Sequence, residues 1–420
     1  MRLRLLLTGL AGTVLFAAVA SQAQSPAPPP ADAVQALQER IAAGRLSLAS
    51  GPAGYLPGVL AALDIPVDSQ ILVFSKTSLQ FHEISPKTPR ALYFNDDTVV
   101  GFVQGGDLIE ITTTGADGRI AFYTLQSPAA GAPLRVNREG PVCLACHAAA
   151  DPWAPGLLVA NVIPMEDGTP LFVDATRLFQ VTDSTTSFRE RWGGWYVTGR
   201  HGALRHNGNV QITDQSAMDG DLTGGGNVTD LAGRFDTSAY LAPTSDIVAL
   251  MTFEHQLGVS NRIWRLHAQA RGLAGQGRSA SAAELDATIE ALAGYMLGAG
   301  EAPLDGPVTG VSGFTESFAA RGPRDPRGRS LRDFDLQTRL FRYPVSFMVY
   351  SRVFDGLPPE LRGRLARRMV EVLEGRDRSA RFAHITPEAG RAALEILAAT
   401  KPALLREAAA AAPSTTRSAG

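Results

Sequence analysis

Both cysteines of this 420-residue chain fall within five positions, Cys143-Leu144-Ala145-Cys146-His147. That placement constrains the fold first, because no disulfide can tie distant segments and the chain must cohere through its own buried core. A C-x-x-C pair followed at once by histidine is the attachment signature of c-type haem: the thiols add to the vinyl groups and the histidine binds the iron from below. The sequence therefore predicts one covalent haem c on Cys143 and Cys146, with His147 as proximal metal ligand. Rival uses of the pair fit poorly. A thioredoxin-like redox pair is expected beside a βαβ pattern, which is lacking, and structural zinc needs four ligands where no second Cys/His pair stands at suitable spacing.

The N-terminus reads as an export signal. Arg2 and Arg4 precede an apolar run from Leu5 to Ala20, and Ser21-Gln22-Ala23 puts small residues at the −3 and −1 positions of a cleavage site. The run is shorter than the roughly 20 residues of a membrane span. The expectation is a signal peptide over 1–23, a Pro/Ala linker over 24–32, and a periplasmic or otherwise exported mature chain with no transmembrane segment. Export fits the motif, because covalent haem attachment takes place outside the cytoplasm, with the c-type cytochrome maturation machinery as an obligatory partner. Hydrophobic residues at 45% and charged residues at 19% are ordinary for a globular protein. A net charge of −2 is too mild to argue for nucleic acid or an anionic membrane surface.

Along the mature chain the periodicity changes once. Ala31 to Ala43 has helical spacing. From Gln70 to Gln126, short β-branched and aromatic runs alternate with Asn/Asp/Gly turns, as in an antiparallel meander, and a second hairpin is expected from Leu157 to Val173. Thr182 to Ala242 reads as ordered loop. Helices are predicted over Ser245–Arg271, Ala282–Leu297, Phe347–Phe354, Pro359–Leu373 and Pro387–Thr400. The fold class is thus α+β, with an antiparallel β-rich haem-binding region over 33–240, a mainly helical region over 241–405, and a disordered tail over 406–420.

A six-coordinate haem needs a second axial ligand, and His206 and His201 lead the candidates. Both lie in a glycine-rich segment whose backbone could approach a planar cofactor closely. His255 on the long helix and Met165 at a hairpin tip are further choices. Arg189, Arg191, Arg200 and Arg205 flank the same segment and would suit haem propionates. His82 reads as structural, while His267 and His384 read as solvated or capping residues. The Arg/Asp-rich stretch from Arg327 to Tyr343 reads as salt-bridge bracing.

Several longer stretches resemble a family of uncharacterised exported bacterial monohaem c-type cytochromes. They are Pro89-Arg-Ala-Leu-Tyr-Phe-Asn-Asp-Asp97, Cys143 to His147, Arg191-Trp-Gly-Gly-Trp-Tyr-Val-Thr-Gly-Arg-His-Gly202, Glu254-His255-Gln256 and Arg329-Ser-Leu-Arg-Asp-Phe-Asp-Leu336. The resemblance implies a single haem on a large scaffold unlike the small helical cytochromes c, so their fold does not transfer. The expected function is electron transfer with a redox partner protein. The alternative is a haem enzyme or gas/peroxide sensor with an open distal site, where His201 or His206 acts as acid/base.

Overall fold

The computed structural model describes residues 32–411, apart from 52, 116–117, 127–133, 149–150, 152, 172–179, 215–221 and 273–278. The expected signal peptide and nearly all of the linker lie outside the described residues. Those described belong to one compact unit.

Two short helices open it, α1 (Ala33–Ala42) and α2 (Leu56–Ala62). Asp32 caps α1 by accepting from the Val34 and Gln35 amides, and its other oxygen accepts from the buried Tyr123 hydroxyl at 2.6 Å. The meander follows as β1 (Ile71–Val73), β2 (Arg90–Phe94), β3 (Thr98–Phe102), β4 (Leu108–Thr114), β5 (Ile120–Gln126) and β6 (Arg135–Glu139). The helix α3 (Pro141–His147) carries the C-x-x-C-H motif directly after β6. Four short strands come next: β7 (Val159–Asn161), β8 (Ile163–Pro164), β9 (Pro170–Leu171) and β10 (Gln180–Thr182). β11 (Trp195–Tyr196) then returns to the main sheet. That sheet has seven antiparallel strands in the order β11-β1-β2-β3-β4-β5-β6.

The helical half contains α4 (Ile247–Ala270), α5 (Ala282–Met296), α6 (Phe314–Ala320), α7 (Arg352–Asp355), α8 (Pro359–Leu373), α9 (Pro387–Thr400) and α10 (Pro402–Ala410). Local chemistry places several of these ends. Asp246 caps α4, and Ser281 with Glu284 forms a capping box at α5. The antiparallel β-rich half followed by a mainly helical half makes the protein α+β.

The sheet buries both faces. Leu72, Tyr93, Val100, Ile111 and Tyr123 alternate onto the face covered by α1 and α2. Ile71, Leu92, Phe94 and Val99 point the other way and join α4, α5 and α8 in a single larger core. Phe94 stacks near Phe253 and Phe314, with ring centroids 5.0 and 5.6 Å away. The expected boundary near residue 240 therefore falls where sheet and helices share one core.

Three expectations change in detail. The span Phe347–Phe354 is a 3₁₀ turn, Phe347–Tyr350, followed by the one-turn α7. In the predicted second hairpin, the first strand splits into β7 and β8; β8 pairs with β9 as expected, whereas β7 pairs with β10. The tail expected to be disordered from 406 remains helical to Ala410 in α10. There Leu404 and Ala408 are buried, and Glu407 accepts two 2.7 Å hydrogen bonds from Arg362. An alanine-rich segment looks unable to fold alone, yet two apolar contacts and one bidentate arginine hold it here.

Candidate functional site

The C-x-x-C-H motif forms a seven-residue helix in which no side chain is fully buried. Gly140 and Pro141 start it. Helical spacing puts Cys143 and Cys146 three residues apart on one side, with His147 at i+4 from Cys143. Both cysteines are free thiols, Cys143 half-buried and Cys146 exposed. Burial, reinforced by the Glu139 carboxylate, pushes the Cys143 thiol up to about 11.

His147 is half-buried and orientated from two sides. Its Nδ1 lies 2.7 Å from the Gly156 carbonyl oxygen, an acceptor, so Nδ1 carries the proton and Nε2 keeps its lone pair. Its ring packs on Phe122 of β5, with centroids 4.9 Å apart. Burial lowers its proton affinity, which the Gly156 hydrogen bond partly offsets. A metal-binding imidazole is commonly aimed in this way, its second nitrogen held by a backbone carbonyl. The motif therefore fits a c-type haem on three counts: reachable thiols, their common side, and an Nε2 available for the iron.

α3 lies against the second face of the main sheet, beside the part that α4 covers. The row Phe94–Val99–Thr112–Phe122–Glu139 runs under α4 at one end and under His147 at Phe122. The next row, Leu92–Gly101–Glu110–Thr124–Asn137, turns polar after its first member. Arg90 extends over Gly101 to pair with Glu110, and an added Cβ at Gly101 would meet the guanidinium 2.6 Å away. A cleft of about 300 Å³ opens beside α3, lined by Leu144, Phe122, Trp153, Trp264 and His267.

The predicted distal candidates lie elsewhere. His201 and His206 are both buried and face each other, their Nε2 atoms 3.3 Å apart. His206 Nδ1 accepts from the Gly208 amide at 3.0 Å, so its proton sits on Nε2, towards His201. His201 Nε2 also lies 3.0 Å from the Gly226 oxygen. Burial, with the neighbouring His201, lowers His206 to about 3. The structure thus brings these two histidines together, with partners different from those of His147. The glycines around them serve chain-to-chain approach: a Cβ on Gly225 would stand 2.0 Å from the Gly208 oxygen.

Several other candidates are engaged within the fold. Arg191 is buried, its guanidinium bonded to Glu254 at 3.1 Å and to the carbonyls of Thr186 and Ser184. His255 is buried against Ser346 Oγ, 2.7 Å away, and stacks on Tyr295. Met165 sits at the half-buried tip between β8 and β9. His384 meets the Leu297 carbonyl at the end of α5, a capping role as expected. His267, expected at the surface, is only 2% exposed. It lies one turn beyond Trp264 on the inner side of α4, where the β4–β5 turn closes on it, and a Cβ on Gly118 would collide with its ring.

The motifs behind the family resemblance largely knit the two halves together. Arg191 meets Glu254 of α4, Gln256 donates to the Asn95 carbonyl at 2.7 Å, and Arg332 pairs with Asp96. Arg332 thus delivers the bracing expected of the arginine-rich stretch. In the segment 76–84 sequence reading gave only His82, as structural, and not Gln80, which bonds both the Leu108 carbonyl and Glu110 at 3.2 Å. Its only signal was the pair of apolar residues Leu79 and Phe81 in a segment with no strand periodicity. Among the described residues, no group of three or more His, Cys, Asp or Glu side chains is placed to hold a metal ion. No helix among them is long and apolar enough to cross a membrane. No family model, no curated protein and no solved structure matches this chain.

Proposed function

We propose that the protein is an exported c-type cytochrome carrying one covalent haem, and that it transfers single electrons to or from a redox partner protein. The observation that carries this reading is α3: two free thiols on one side of an unburied helix, followed by an imidazole whose Nδ1 is held by Gly156. Attachment requires each thiol S–H to add across a vinyl C=C, the sulfur bonding one carbon and the hydrogen the other, with no external oxidant. The haem, when bound, supplies a one-electron iron couple whose potential follows its axial ligands and its burial. The chain's own residues anchor it through Cys143 and Cys146, orient His147, and keep the attachment helix at the surface, where a partner can approach. Val142 and Leu144, 46% and 38% exposed, give that surface apolar character suited to docking.

The engagement of His201 with His206 favours a second reading, in which the sixth iron position stays open and the protein is a haem enzyme or gas sensor. Expression of the full chain with its leader and the cytochrome c maturation machinery tests the first reading. Haem should remain bound through denaturing electrophoresis and disappear in Cys143→Ala/Cys146→Ala. A wild-type chain that exports and folds without covalent haem overturns it.

A further inference from the structure

We infer that the segment 76–84 covers the distal side of the haem and that His82 is the sixth ligand; this rests on the haem reading above. The first observation is direction. His147 packs on Phe122, whose row of the sheet lies next to the Glu110 row on the same face. Helical spacing sets Cys143, Cys146 and His147 on one side of α3 and turns Leu144, which lines the cleft, away from them.

Segment 76–84 is pinned to the same place. Gln80 donates to Glu110 and to the Leu108 carbonyl, and its side-chain oxygen accepts from the Leu108 amide at 3.3 Å. Leu79 and Phe81, on either side of Gln80, are both 43% exposed. Six large hydrophobic side chains are exposed among the described residues, and three of them are Leu79 and Phe81 on this segment and Val142 on α3. Apolar side chains gathered at the rim of a polar sheet face suit a flat, mostly apolar group with a few polar substituents. A haem tethered at Cys143 is the occupant whose attachment point is already in position.

The inventory of imidazoles leads to the same residue. Of the seven histidines, His147 is proximal, His201 and His206 are buried against each other, His255 holds Ser346, and His384 holds the Leu297 carbonyl. His267 is buried under the β4–β5 turn, in the cleft that Leu144 lines. His82 remains, at the surface, its ring 3.8 Å from that of Phe81 and two residues from Gln80. Imidazole on both faces keeps the iron low-spin and its potential below that of His/Met ligation.

Spectra of the haem-loaded full chain test this separately from haem attachment, which denaturing electrophoresis reads. The wild type should be low-spin in the ferric state and bind no CO when reduced. His82→Ala should keep its covalent haem, become high-spin and bind CO. His82→Met should remain low-spin with a higher midpoint potential. The inference is overturned by a high-spin, CO-binding wild type, by a His82→Ala spectrum identical to wild type, or by loss of the low-spin form in His267→Ala instead.

Discussion

Two adjoining parts of one sheet face meet opposite fates. Leu92, Phe94 and Val99 pass under α4 and become core, whereas Gly101, Glu110 and Thr124, a strand or two along, carry a paired arginine and a short helix with two free thiols. The strands are equally regular in both parts. The difference is what covers them: 24 residues of α4 with a nearly continuous buried surface on one side, seven residues of α3 with no fully buried side chain on the other. The helix-covered part holds the fold, and the thinly covered part is free to carry a group that is not protein.

Removing both thiols should break the comparison at its functional end. Cys143→Ala/Cys146→Ala is expected to abolish covalent haem completely while leaving the far-ultraviolet dichroism of the fold unchanged, because α3 contributes no buried side chain. At the covered end, Phe94→Ala removes a ring packed on Phe253 and Phe314 and should cost about 3–5 kcal/mol in urea unfolding. Glu254→Ala leaves the buried Arg191 charge without its carboxylate and should cost a comparable ~3–5 kcal/mol, with the haem spectrum unmoved.

Acid should act on the buried part as well. Burial lowers His206 to about 3 and His255 to about 4, so both are neutral in the fold and take up protons on unfolding below their ordinary range. Their contribution is complete above about pH 6.5 and declines as the pH falls towards those values. Each pH unit in that window should cost up to about 1.4 kcal/mol per group in denaturant titrations, and His206→Gln should flatten the slope. At the thin end, Leu79→Ser should change stability by no more than about 0.5 kcal/mol, since the side chain is already largely in water. A larger loss would show that segment 76–84 is part of the core.

Much of this contrast was legible in the chain. Alternation in Leu108–Thr114 and Ile120–Gln126 announced paired strands, and Ser281 with Glu284 announced the start of α5. The C-x-x-C-H stretch was legible because it depends on residue types at short fixed spacing. Which imidazoles the fold encloses was not. His201 and His206 looked suitable from their glycine-rich setting, but those glycines let Gly225 meet the Gly208 carbonyl, and the two buried rings face each other. His267 looked solvated because helical spacing cannot tell which side of a long helix a distant turn will cover.

The sequence by itself determined the local elements, the spacing of the C-x-x-C-H residues and the α+β order, since these follow from dihedral preference, capping and alternation between near neighbours. Tertiary structure alone decided which histidines are enclosed, how Arg191 and Glu254 meet across 63 residues, and which part of the sheet face stays open beside the thiols. Those outcomes depend on long-range packing, in which a residue's surroundings come from segments that its own neighbours in the chain do not specify.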